Sequence, residues 1–204
     1  MLLSFKESQE IIDRRGIPMV ESYVVKNEEE LSSALEKLPF PVVMKIDSQK
    51  IIHKTDKGGV RLGVSNKEEA VSNLKELLNI CEGEVIVQRH TEGEEIIIGG
   101  KKDPVFGPVV MIGLGGIFVE VYKDIVFRLA PLNKEEALEM IEEIRGRKIL
   151  EGFRGRPVVD KEALAEVLVK TSYLLKEETR IKELDFNPVL AGDTSLVCDA
   201  KLII

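Results

Sequence analysis

The sequence predicts an α+β fold, and three observations carry that reading. Helix-capping signals alternate with short apolar runs over roughly the first hundred residues, the stretch after Pro108 is strand-rich and punctuated by glycine, and two amphipathic helical segments precede a final pair of strands. No internal repeat or low-complexity linker interrupts the 204 residues, a length that suits one large domain or two small lobes.

Ser4 with Glu7 forms a capping box, and Gly16 with Pro18 beyond it stops the segment, so residues 4–15 are predicted as helix. Met19 to Val25 reads as a strand. Asn27 with Glu30 starts a second helix to about Leu38, where Pro39 and Pro41 end it. Val42 to Ile46 is a short apolar strand carrying Lys45, followed by a polar loop from Asp47 to Gly59 and a strand from Val60 to Val64. Asn66 with Glu69 caps a third helix to about Ile80, and strands follow at Glu84 to His90 and Glu95 to Lys101.

Val109 to Ile112, Ile117 to Tyr122 and Ile125 to Leu129 then suit an antiparallel meander turned at Lys123-Asp124. Helices are predicted at about Lys134 to Ile144 and Lys161 to Leu175; in the second, Leu164, Val167, Leu168, Thr171, Leu174 and Leu175 share one stripe. Ile181 to Phe186 and Leu196 to Ile203 are the last strands, flanking a turn at Gly192-Asp193.

Composition narrows the function. The 29 basic and 36 acidic side chains leave a net charge of −7 with no long basic stretch, which argues against a nucleic-acid partner. The longest uncharged run, Pro104 to Val119, carries four glycines and two prolines and falls short of the roughly 20 apolar residues that span a bilayer. No membrane span is expected. Met1 to Lys6 lacks the pattern of a secretory signal, and Cys81 and Cys198 stand outside any CxxC pair, so a reducing cytoplasm is the expected location.

The common nucleotide signatures fail. There is no GxxxxGK[ST], and Gly113-Leu-Gly-Gly-Ile-Phe118 lacks the last glycine of GxGxxG and sits between strands. What remains is Lys45 followed by a loop carrying His53, Lys54, Gly58 and Gly59. Glycines let backbone N–H groups approach phosphate oxygens, and a lysine supplies the point charge such oxygens need. A charged surface loop is the alternative for the same residues. His53 is flanked by lysine rather than by an apolar stripe, so it suits a loop and not the core; an imidazole with an ordinary pKa of about 6.5 is available as a nucleophile toward phosphorus. His90, at a strand end, reads as an exposed residue.

The second constellation is Glu183-Leu-Asp-Phe-Asn-Pro188 with Asp199 on the following strand. Alternation places Glu183, Asp185 and Asn187 on one face, and the turn near Gly192 brings Asp199 toward them. One or two carboxylates and an amide suit Mg²⁺ bound to a nucleotide, because that ion keeps waters and phosphates as its other ligands. A charged strand edge that resists aggregation is the competing explanation.

Taken together, these residues resemble the ATP-grasp fold, and more narrowly the β subunits of ADP-forming acetyl-CoA synthetases, the acetate–CoA ligases (ADP-forming). The resemblance covers nearly the whole chain and rests on ordered blocks: Pro41-Val-Val-Met-Lys-Ile46, Ile52-His-Lys-Thr-Asp-Lys-Gly-Gly-Val60, Asp103-Pro-Val-Phe-Gly-Pro108, Gly113-Leu-Gly-Gly-Ile-Phe-Val-Glu120, Phe127-Arg-Leu-Ala-Pro131, Glu151-Gly-Phe-Arg-Gly-Arg-Pro157 and Glu183-Leu-Asp-Phe-Asn-Pro188.

The resemblance implies a two-lobed ATP-grasp domain over residues 1–204, one lobe at about 18–90 and the other at 1–17 plus 91–204, with ATP or ADP and Mg²⁺ bound between them. The implied reaction is reversible: acyl-CoA, phosphate and ADP yield carboxylate, CoA and ATP. A CoA-binding α subunit is the implied partner, in a hetero-oligomer such as α2β2; it forms an acyl phosphate and passes the phosphoryl group to its own histidine. His53 matches the histidine that relays that group to ADP, and Asp185 matches the carboxylate that orients it. Asn187 and Asp199 match the magnesium ligands of the more distant succinyl-CoA synthetases. Lys45 resembles the lysine on nucleotide phosphates, with Lys54, Gly58 and Gly59 beside it. Gln88, Arg89 and Thr91 correspond to the hinge next to adenine and ribose, Glu95 to an acidic nucleotide-lobe residue, and Arg128 to a further phosphate-binding cation.

Two other functions use much of the same sequence. A free-standing ATP-grasp ligase would activate a carboxylate without His53, and a noncatalytic nucleotide-binding module would tolerate loss of Asn187 and Asp199.

Overall fold

A computed structural model describes residues 1–48, 58–80, 83–116, 124–153 and 156–204. The chain divides into two units, residues 20–91 and residues 1–19 with 92–204.

In the smaller unit, Ser22–Val25 (β1), Glu28–Leu35 (α2), Val42–Asp47 (β2), Val60–Val64 (β3), Lys67–Ile80 (α3) and Glu84–Arg89 (β4) follow in order. Phe5–Arg14 (α1) precedes them and belongs to the larger unit. The caps form as the sequence predicts. Asn27 Oδ1 accepts from the Glu30 N–H at 2.9 Å, and Asn66 Oδ1 from the Glu69 N–H at 2.8 Å, satisfying donors that a helix start leaves free. The four strands pair antiparallel in the order β1-β4-β2-β3. Val42, Met44, Ile46, Val85 and Val87 bury one face of this sheet against Leu31, Ala34, Leu74 and Leu77 of the helices.

The larger unit continues with Glu94–Asp103 (β5), Gly107–Leu114 (β6), Ile125–Leu129 (β7), Lys134–Glu143 (α4), a 3₁₀ turn at Arg147–Leu150, Lys161–Glu177 (α5), Glu183–Ala191 (β8), Ser195–Val197 (β9) and Ala200–Ile203 (β10). The sheet order is β10-β8-β5-β6-β7, all antiparallel, with β9 extending the edge of β8. Ile96, Ile98, Val110, Ile112, Leu184, Phe186 and Leu202 face a core completed by Met140 and Ile141 of α4 and by Leu164, Leu168 and Leu175 of α5. Each such side chain contributes about 1.5–3 kcal/mol on burial. The predicted stripe of α5 is buried throughout, Thr171 included, whose hydroxyl donates to the Val167 carbonyl at 2.7 Å.

Several boundaries differ from the expectation. The predicted strand at Ile117 to Tyr122 lies outside the described residues. β1 begins at Ser22 because Met19 instead bridges Val197, both residues of the larger unit. β8 does not end at Phe186 but runs through Asn187-Pro188 to Ala191, and the last predicted strand is split into β9 and β10 at residues 198–199. Ile96 pairs with Val189 and Ile98 with Phe186, so two residues of β8 oppose Ile97 alone. That is a β-bulge, a device that re-aims side chains where it occurs. Asp124, predicted in a turn, is buried, and its carboxylate accepts from the Arg145 and Gly146 N–H groups at 2.9 and 2.7 Å, anchoring the segment after α4.

Candidate functional site

Helices cover one face of the larger sheet, and strand alternation sorts the charged residues onto the other. Leu184, Phe186, Ala200 and Leu202 point into the core, so Glu183, Asp185 and Lys201, which alternate with them, project from the open face. Asn187 follows at the bulge, its side chain exposed. Asp199 lies beside it: the Asn187 N–H donates to the Asp199 carbonyl at 3.1 Å, and the preceding residue, Cys198, donates its N–H to the Pro188 carbonyl at 2.9 Å. Asp199 Oδ1 accepts from the Ala200 N–H at 3.1 Å, which fixes the carboxylate at the start of β10. The structure thus gathers Asp185, Asn187 and Asp199 from residues 14 positions apart or fewer.

Asp185 is half-buried, and burial is the main reason that its carboxyl is held above the ordinary carboxylate range; Lys201 pulls it back down, while Asp199 and Glu183 add to the rise. On its other side Asp185 pairs with Gly99 of β5. A side chain at Gly99 would meet the Met111 methyl at 2.8 Å, so that methionine lies over the glycine and would have to shift to admit a larger residue.

Glu95 is exposed, one residue into β5. Its carbonyl accepts from the Gly115 N–H at 2.6 Å, and a Cβ on Gly115 would sit 2.9 Å from both the Cβ and the carbonyl oxygen of Glu95. The glycine run that fails as a dinucleotide motif therefore has a local purpose, the close passage of backbone over Glu95.

In the smaller unit Lys45 sits mid-strand in β2, 5% exposed, between Ile86 of β4 and Val60 of β3. The Ile46 N–H donates to the Gly59 carbonyl at 3.0 Å, so the hairpin pairing sets the glycines beside this lysine; Gly58 takes a φ of 65°. Gln88, nearly fully buried, donates from Nε2 to the Ser22 hydroxyl at 2.7 Å. By alternation Lys45 and Gln88 share the sheet face away from Met44 and Val87. Arg89 is on the opposite face, 3.8 Å from Glu21, and the Thr91 hydroxyl reaches the Arg89 carbonyl at 3.5 Å. His53 and Lys54 lie outside the described residues.

The structure does not bring Arg128 to the carboxylates. It pairs with Val110, a core position, and its guanidinium ion-pairs with Glu143 of α4, placing it on the helix-covered face. Lys201 is the reverse case, a residue that sequence reading passed over although Asp199-Ala-Lys201 alternates in step with the carboxylates. Among the described residues no cluster of three His, Cys, Asp or Glu side chains could hold a metal, so the candidate metal position rests on one carboxylate and one amide. No helix of the described residues is long and apolar enough to cross a membrane.

Two mixed α/β units with antiparallel sheets, a buried strand lysine in one and an Asn–Asp pair on the open sheet face of the other, define the ATP-grasp class. The model of the ATP-grasp domain matches residues 1–204. The chain is 44% identical over 208 residues to the β subunit of acetate–CoA ligase (ADP-forming) I from Pyrococcus furiosus, covering 97% of this chain and 90% of that one. It superposes with a TM-score of 0.94 and 38% identity on the dinucleotide-forming acetyl-coenzyme A synthetase 1 of Ca. Korarchaeum cryptofilum in complex with coenzyme A, Ca-AMPCP and HgCl⁺, covering 100% of this chain and 93% of that one. A second structure of that enzyme, with coenzyme A and Mg-AMPPCP and a phosphohistidine segment pointing towards the nucleotide-binding site, gives a TM-score of 0.87 at 37% identity, with coverage of 100% and 92%. The chain belongs to the ATP-grasp family, among the β subunits of ADP-forming acetate–CoA ligases.

Proposed function

We propose that this chain is the nucleotide-handling subunit of a reversible ADP-forming acyl-CoA synthetase, relaying a phosphoryl group between a CoA-binding partner and ADP through His53. The observation that carries the reading is the juxtaposition of Asp185, Asn187 and Asp199 on the open face of one sheet. The Korarchaeum complexes with coenzyme A, nucleotide analogues and a phosphohistidine segment support it.

Each residue has a role. Lys45, with the backbone at Gly58 and Gly59 and with Lys54, binds nucleotide phosphates; Gln88 and Thr91 flank the base and ribose, the Arg89 side chain standing on the opposite face, and Glu95 is an acidic nucleotide contact. Asn187 and Asp199 offer an amide and a carboxylate oxygen from adjacent backbones, a donor set that fits Mg²⁺. When bound, that ion supplies charge neutralisation at the phosphates. Asp185 orients the His53 imidazole and stabilises its cationic state, the work a carboxylate does beside any catalytic histidine. The chain works in the cytoplasm with its α partner, in an assembly such as α2β2.

The reading is tested by assaying the chain with acetate, CoA and MgATP, alone and with a CoA-binding partner. Acetyl-CoA should form only with the partner. Robust turnover by the chain alone would favour the free-standing ligase.

A further inference from the structure

Phosphoryl transfer on the open face faces an electrostatic difficulty. Glu183, Asp185 and Asp199 contribute three carboxylates there, and a phosphoryl group in transit brings further negative charge. Beside the Mg²⁺ position at Asn187 and Asp199, a fixed cation near Asp185 would offset this repulsion.

The register supplies one. Lys201 of β10 stands directly opposite Asp185 of β8, and its neighbours Ala200 and Leu202 are buried in the core, so strand alternation commits the lysine to the face that carries the carboxylates. Directly opposed residues on antiparallel strands hold their Cβ atoms about 4.5–5.5 Å apart, within reach of a lysine and an aspartate. Lys201 is partly buried, as Asp185 is. Of the charged groups that act on Asp185, namely Lys201, Asp199 and Glu183, the lysine is the positive one. From β5 the neighbour is Gly99, with no side chain to compete. The arrangement is fixed by backbone pairing within one unit, and an ammonium on a flexible four-carbon stem carries its charge to that face without a rigid geometry.

We propose that Lys201 is a positioning residue for phosphoryl transfer, setting a positive charge directly across the strand pair from Asp185 and so offsetting the negative charge of the open face. This rests on the reading of Asp185 as the carboxylate that orients the relay histidine.

A double-mutant cycle in the complete complex tests it, with γ-labelled ATP as phosphoryl donor, single-turnover labelling of protein as one readout and MgADP affinity by calorimetry as the other. Lys201→Met should slow labelling about tenfold or more while MgADP affinity stays within about twofold, and Lys201→Arg should restore most of the rate. In the Asp185→Asn background the same Lys201→Met change should cost less than about twofold, because its partner is already gone. Lys201→Gln takes the place of Lys201→Met if the methionine variant fails to assemble. Parental labelling by the Lys201 variants would overturn the proposal, and so would an equal loss in both backgrounds. Parental labelling by Asp185→Asn alone would instead sink the underlying reading of Asp185.

Discussion

The backbone N–H of Asn187 donates to the backbone carbonyl of Asp199 at 3.1 Å, so an amide on β8 and a carboxylate just before β10 are brought side by side by main chain. Their side chains need not find each other. The bulge that sets two residues of β8 against Ile97 makes this possible, since it frees Asn187 from the strict alternation that turns Phe186 and Val189 into the core.

From that pairing, Asp199→Ala should weaken magnesium-dependent nucleotide binding about tenfold or more and leave folding nearly untouched, because the lost carboxylate is half-buried and outside the core. Calorimetry with MgADP and with ADP plus chelator separates the two effects. Equal MgADP affinity in variant and parent would remove Asp199 from the metal position.

Gly115→Ala should destabilise the larger unit by about 1–3 kcal/mol, since the new methyl would lie 2.9 Å from Glu95 backbone and side chain alike. Gly192→Ala, which meets nothing within 4 Å, should stay within about 0.5 kcal/mol of the parent. Denaturant unfolding of the two variants side by side is the measurement, and equal midpoints would contradict the close contact.

Acid should loosen the β5–β6 turn. Asp103 Oδ1 accepts from the Val105 and Phe106 N–H groups at 2.9 and 3.0 Å, and these bonds hold its carboxyl below the ordinary value of 3.8. A depressed carboxyl contributes stability that is present above its unfolded pKa and is lost as pH falls through the folded one. The stability gap between the parent and Asp103→Ala should therefore be constant above about pH 5 and narrow below pH 3.8. A gap that widened on acidification would contradict the assignment.

Much of this fold was legible because its signals are local. The capping pairs Ser4 with Glu7, Asn27 with Glu30 and Asn66 with Glu69 each form the bonds that their spacing implies. The misread segments depend on partners far along the chain. Asn187-Pro188 reads as a strand end, since proline gives no N–H to a ladder, yet β5 and β9 keep β8 extended to Ala191. In Ile-Val-Phe-Arg-Leu129 nothing alternates by polarity, so the face of Arg128 was set only by its pairing with Val110. Of the site, the sequence named the acidic and amide members, whose spacing is short and in step with a strand. Lys201 escaped because its meaning lies in the residue opposite, which only the register shows.

The central claim is the relay through His53. The complex of this chain with its CoA-binding partner should be incubated with γ-labelled ATP, the subunits separated, and the acid-labile, base-stable label on the partner's phosphohistidine segment timed for the parent and for His53→Ala. The account predicts that label reaches the partner in the parent and arrives at least about a hundredfold more slowly in His53→Ala. Label arriving at the parental rate in His53→Ala would contradict it.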